Sequence, residues 1–455
     1  MASTAVNGST VIVDGARSES PENPESPQAT VLDSVSGPEW IEMSMRDIGQ
    51  SIYDHQPLSR EKRDLKLKAI DTAYQLNDVN LLAELARSRE GLITNSARAK
   101  VWTLFAEKYG NITEPEQDWH QLAPHSEEEQ IKLDVERAFV FYPAEGDKEQ
   151  LKEKLFDLIR SVFRRHPQLS YYQGYHDIAQ VILLVFDGIV ENAVPVLEAV
   201  TMSFLRDYML PSLDATLDQL ELVPVILTLA DPYIGQLVRG KPFYALSSVL
   251  TFLAHHIKSF DEICVVFDHV IASNDMSFVL YLYVAIIISQ RDEIKELGGD
   301  VDIIHSYLTN VGEQEFNVFE VMARADELSR KYPISTLGET WDNISPHSVL
   351  KCKDNVFDKQ LDEFEQAKVT EQKEKEKVKE REKEKQLEQE KTTTDRTKAT
   401  KQVAPLQARK ILGVMALLRS RHTVLGLSVC MGLFGVALSW YRHDIKEILG
   451  FRFTG

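Results

Sequence analysis

Three short stretches carry residues suited to chemistry, in the order GLITNSARAKVW, IKLDVER and YYQG. The first ends in Arg98-x-x-x-Trp102, the second spaces Ile131, Asp134 and Arg137 three apart, and the third is Tyr171-Tyr172-Gln173-Gly174. Three-residue spacing puts Ile131, Asp134 and Arg137 on roughly one helix face with Ile131 as anchor. Asp134 can then hold a guanidinium, either Arg137 or Arg98, in a fixed pose. Gly174 permits a tight turn into a following helix, which suits a short loop presenting the Gln173 amide. Trp102, one turn after Arg98, most simply fills a helix interface. His176 and Asp177 follow, and an Asp near the start of a helix suits its dipole, so both read as accessory. Singly, an Arg on an amphipathic helix is usually solvated and a Gln before Gly is usually a turn residue.

Other catalytic signatures fail. His255-His256 is adjacent, not spaced i, i+4 for two ligands on one helix face, and no HExxH, metal-spaced Cys or GxSxG occurs. The stretch GQLVRGKP from Gly235 matches GxxxxGK but has Pro242 where magnesium needs Ser or Thr, and it follows a helical run instead of a strand. Metal hydrolase, serine hydrolase and nucleotide cradle are set aside.

The elements that must position these residues are helices. From Trp40 to about Leu350, apolar residues recur at helical spacing, as in EQLKEKLFDLIRSVF and EFNVFEVMARADELSRKY, and two-residue alternation is nearly absent. Pro and Gly mark the joins. An all-α domain over 39–350, in two helical halves, is predicted. The run MSFVLYLYVAIIIS, Met276 to Ser289, is too short for a membrane span and reads as a buried core helix.

The order RxxxW, IxxDxxR, YxQG inside an all-α domain resembles the TBC family of Rab GTPase-activating proteins, over about Gly91 to Tyr332. With a C-terminal span, the chain looks most like the members anchored in the endoplasmic reticulum. The resemblance implies that Arg137 is an arginine finger and Gln173 a glutamine supplied in trans to position the attacking water, with Asp134, Tyr171, Gly174, Arg98, Trp102 and Ile131 in support. Hydrolysis on a Rab is slow because charge building on the phosphate oxygens is unshielded and the water is poorly held. A trans arginine typically contributes a factor of about 10³ to 10⁵. On this reading the chain has no cofactor of its own and acts on the GTP and Mg of a GTP-bound Rab. It is an activator, not an enzyme with its own substrate turnover. The alternative is a membrane-anchored adaptor that binds a Rab without catalysis.

The 455 residues carry a formal net charge of −19, which argues against nucleic acid as a partner. The excess acid lies in 39–360, whereas 401–455 is net basic. Residues 1–38 are Ser- and Pro-rich and read as disordered, without a signal peptide. Cys264, Cys352 and Cys430 form no pattern, as suits a reducing compartment. Residues 351–422 read as a charged low-complexity spacer and basic juxtamembrane segment. Then TVLGLSVCMGLFGVALSWY, Thr423 to Tyr441, offers 19 uncharged residues, about 28 Å as a helix, with Arg419, Arg421 and His422 before it. The expectation is a tail anchor at 423–441, a short luminal tail at 442–455, and a cytosolic bulk on the endoplasmic reticulum membrane, serving ER-to-Golgi transport.

Overall fold

Helix starts along the chain are written by side-chain caps. Ser59, Asp78, Thr94, Asp147, Ser259 and Asn317 each accept a hydrogen bond from a backbone N–H in the first turn that follows. Such a cap contributes about 1 kcal/mol. The computed structural model describes residues 58–110, 118–143, 146–370 and isolated positions between 372 and 381. Among them every regular element is helical.

The first group is α1 (Arg60–Gln75), α2 (Val79–Arg87), α3 (Asn95–Tyr109), α4 (Glu128–Val135), α5 (Lys148–Arg165), α6 (Tyr175–Val185) and α7 (Val190–Val200). The second is α8 (Asp214–Leu220), α9 (Leu222–Ala230), α10 (Pro232–Leu237), α11 (Leu246–Leu250), α12 (Phe260–Ser273), α13 (Ser277–Ser289), α14 (Arg291–Glu296), α15 (Val301–Thr309), α16 (Val318–Lys331) and α17 (Glu339–Asp342).

The run noted above as a core helix is α13, and every residue from Ser277 to Ile287 is buried. A helix apolar all round must be covered on all sides, and α16 and α9 pack against it. Helix α12 crosses to the first group and packs on α2, α3 and α6. One hydrophobic cluster therefore runs from Ala69 to Phe357. The two helical halves expected from the sequence share a core.

The folded body ends later than the 350 expected. Residues 58–365 belong to one compact unit, with a second unit from Gln366, and Phe357 and Gln360 are buried. The reason lies after α7. A π-helical turn, Thr201–Leu205, leads into a 3-10 turn, Arg206–Met209, and both Arg206 and Asp207 are fully buried. Buried charges need partners, and the chain from 347 to 360 supplies them. Arg206 donates to the carbonyls of His347 (3.0 Å) and Cys352 (2.6 Å) and to Gln360 Oε1 (3.0 Å). Asp207 accepts from Ser348 Oγ (2.6 Å), the Val349 N–H, Gln360 Nε2 (2.6 Å) and Gln219 Nε2.

The segments 1–38, 39–57, most of the charged spacer and the span at 423–441 lie outside the described residues. Among the described residues no helix is long and apolar enough to cross a membrane.

Candidate functional site

Helix α4 ends at Val135, and Arg137 sits in the turn beyond it. Ile131 is fully buried and fastens α4 to the core. Asp134 is also fully buried, close to the end of the helix where the macrodipole disfavours an anion. It needs donors, and two reach it. Arg137 Nη2 bonds Asp134 Oδ1, and the Tyr171 hydroxyl donates to Asp134 Oδ2 at 3.0 Å. The spacing left open whether Asp134 holds Arg137 or Arg98; it holds Arg137.

The Arg137 side chain is 61% exposed. Its guanidinium therefore reaches solvent while staying bonded to a buried carboxylate, and the Tyr171 hydroxyl is a second donor on the same acid.

The loop that carries Gln173 is built from aromatic anchors. Tyr172 is buried and donates to the Leu250 carbonyl at 2.9 Å. Tyr175 bonds Thr201 Oγ1 at 2.6 Å. The Tyr171 N–H is held by the Glu127 carboxylate. Gly174 starts α6 at φ +108°, and a Cβ there would sit 2.8 Å from Thr251 Cγ2, so only glycine fits. Gln173 is the exposed residue of this turn, and no described residue hydrogen-bonds its side chain.

Behind both motifs lies a third layer. Asp177 accepts from His255 Nδ1 (2.9 Å) and Gln180 Nε2 (3.3 Å), and lies 3.5 Å from His176 Nε2. The Asp177 hydrogen bond raises the His255 pKa above the usual range. Burial lowers that of His176, whose Nδ1 faces Asp134 Oδ2 at 3.9 Å. Burial, and then the Asp134 carboxylate, pushes the Tyr171 phenol far up, so it remains a hydroxyl donor. His176 and Asp177 thus lie in the layer behind Asp134. His255, read only as a failed metal pair, belongs to the same network; no group of residues among those described could hold a metal.

Gln180 was not visible as a site residue. Its Oε1 accepts the Phe139 N–H at 2.9 Å, and Lys148 Nζ donates to the Phe139 carbonyl at 2.8 Å. Phe139 is buried with φ +61°, a left-handed conformation two residues past Arg137. A bulky residue held there costs about 1–3 kcal/mol and persists only where its surroundings impose it.

Arg98 and Trp102 close on a different carboxylate. Asp268 of α12 accepts from Arg98 Nε (3.0 Å), Trp102 Nε1 (2.9 Å) and the Leu92 N–H (2.8 Å). Trp102 is fully buried against Phe267, as its expected packing role requires. The RxxxW pair bolts α3 to α12 and does not touch Asp134.

Arg137 and Gln173 are thus two solvent-facing side chains set on one helical scaffold, linked through Asp134 and Tyr171. The Rab-GTPase-TBC domain family matches residues 95–295, which include all three motifs. The chain is 30% identical to GTPase-activating protein gyp10 of Schizosaccharomyces pombe over 300 residues, covering 64% of this chain and 79% of that protein. It is 28% identical to human TBC1 domain family member 20 over 284 residues, covering 61% and 70%. It is also 28% identical to GTPase-activating protein GYP8 of Saccharomyces cerevisiae over 268 residues, covering 52% and 54%. The chain belongs to the Rab-GTPase-TBC domain family.

Proposed function

We propose that this chain is a GTPase-activating protein for a Rab, supplying Arg137 as a charge-stabilising finger and Gln173 as the amide that holds the attacking water. The observation that carries this reading is the shared carboxylate. Asp134 binds Arg137 and the hydroxyl of Tyr171, two residues before Gln173, so a single buried group ties the two exposed side chains to one frame. Transition-state stabilisation needs that kind of preorganisation. Magnesium and GTP arrive with the Rab, and the chain contributes only side chains.

Single-turnover GTP hydrolysis with the full chain across a Rab panel tests the reading. Arg137→Ala is expected to remove most of an acceleration of about 10³ to 10⁵, and Gln173→Ala a smaller part. Equal rates for wild type and Arg137→Ala would refute the finger and leave a Rab-binding adaptor.

The finer reading places the protein on the endoplasmic reticulum, anchored by 423–441, with a Rab of ER-to-Golgi transport as substrate. Its support is the apolar run with basic flanks and a length suited to a thin bilayer. Imaging a tagged chain lacking 401–455 checks it, and unchanged membrane localisation would overturn the anchor.

A further inference from the structure

The turn carrying Arg137 is followed by a backbone conformation that its own residues do not favour. Phe139 has φ +61° and is neither glycine nor asparagine. Both polar groups of this residue are gripped by side chains from elsewhere. Gln180 takes the N–H and Lys148 takes the carbonyl, and the ring is buried. Gln180 is itself oriented by Asp177, which also takes His255.

Gln180 lies on α6, the helix that begins directly after Gln173 and Gly174. The element that follows the presented amide therefore fixes the path of the chain leaving the arginine. Building on the arginine-finger reading above, we propose that Gln180 is a positioning residue for GTP hydrolysis. Its carboxamide locks Phe139 in the left-handed conformation and so sets where the backbone delivers the Arg137 guanidinium. Lys148 is the second jaw of the same clamp. Neither side chain contacts the GTPase chemistry, and both act through Phe139.

The arrangement predicts a particular kinetic signature. Loosening the clamp leaves the surface that meets the Rab intact but lets the finger wander, so the saturated rate falls while the half-saturating concentration holds. Misplacement by about 1 Å is enough for a loss approaching a hundredfold.

The test uses full-length chain in single-turnover assays, titrated against a Rab on which it is active. Gln180→Met keeps volume and removes both hydrogen bonds; Lys148→Met removes the other jaw from a half-buried position. Gln180→Met is expected to lower the plateau rate about tenfold or more with half-saturation within about twofold. Lys148→Met is expected to move the plateau in the same direction by less. Hydrogen exchange at the Phe139 amide should lose its protection in Gln180→Met. A plateau within twofold of wild type while that amide exchanges freely would overturn the proposal. A raised half-saturating concentration with an unchanged plateau in both variants would overturn it too. If Gln180→Met does not fold, Lys148→Met decides on the same two parameters. An Arg137→Ala variant run alongside separates the two readings: full activity there sinks the finger itself, whereas loss there with normal Gln180→Met sinks only the clamp.

Discussion

Replacing Asp268 tests the division of labour between the motifs. This carboxylate is wholly buried and accepts from Arg98, Trp102 and the Leu92 backbone. Asp268→Ala leaves the Arg98 guanidinium, itself 3% exposed, without its counter-charge. Breaking one side of a buried pair costs about 3–5 kcal/mol, which for a domain of this size lowers the melting temperature by several degrees to about ten. Arg98→Met should cost less, because Trp102 and Leu92 still donate to the acid. Its penalty also carries a pH signature. Burial already raises the Asp268 pKa, and Arg98 is the largest influence opposing it. Without Arg98 the folded-state pKa rises further above the unfolded value. A raised carboxyl pKa destabilises at neutral pH, and the loss shrinks as pH falls through the folded pKa, so Arg98→Met should approach wild type in mild acid. Circular dichroism melts of both variants and of the double variant, at pH 7 and in mild acid, measure each quantity. Because the cluster does not touch Asp134, the saturated GTPase-activating rate below the melting range should be unchanged. An Asp268→Ala variant within about 1 kcal/mol of wild type, or strictly additive single changes, would refute the argument, as would a lost rate in a stably folded protein.

Three other outcomes follow from the geometry. Gly174→Ala meets Thr251 Cγ2 at 2.8 Å and φ +108° together, so a stability loss of about 1–3 kcal/mol is expected; adding Thr251→Ser should recover only the steric part in a urea titration. Asp207→Ala strips the acceptor from Gln219, Ser348, Val349 and Gln360, and limited proteolysis read by mass spectrometry should show new cleavage between 345 and 365. Burial holds His256 at about 4 and His269 at about 3, against an ordinary 6.5. Unfolding lets them take up protons, so each withdraws up to about 1.4 kcal/mol of stability per pH unit below 6.5. His255, raised by Asp177, stabilises toward lower pH only above 6.5, while the raised Asp268 works against the histidine loss; the comparison is therefore with a His256→Asn, His269→Asn variant, and parallel urea midpoints of the two proteins from pH 6.5 to 5 would contradict the burial of these two rings.

Much of the helical architecture and one face of the site could be read from spacing alone. Ile131 and Asp134 share a buried face because i, i+3 periodicity is a local property, whereas Arg137 lies past the end of α4 and is exposed; the apolar run at 277–289 had to be buried because no charge interrupts it. What spacing could not show were partners brought in by tertiary packing. Asp268 meets Arg98 across 170 residues, and no local pattern distinguishes it from any other helix acid. Gln180 looks like one polar residue on an apolar helix until Phe139 is seen to need an acceptor. The end of the body is hidden from spacing for the same reason: the residues beyond 350 look like the start of a polar spacer, and they are retained because Arg206 and Asp207 are buried and need them.

The Arg206–Asp207 clasp also has a mechanical meaning. Any tension on the chain beyond residue 365 enters the folded body through the segment 347–360, and that segment is fastened by side-chain bonds to two adjacent buried charges. Bonds clustered on one pair of residues share a load and yield together, not one after another. Arg137, in the turn after α4, and Gln180, on α6, lie earlier in the chain and outside that line of force. A protein tugged by its C-terminal end would keep Arg137 and Gln173 in place up to the force at which the clasp fails.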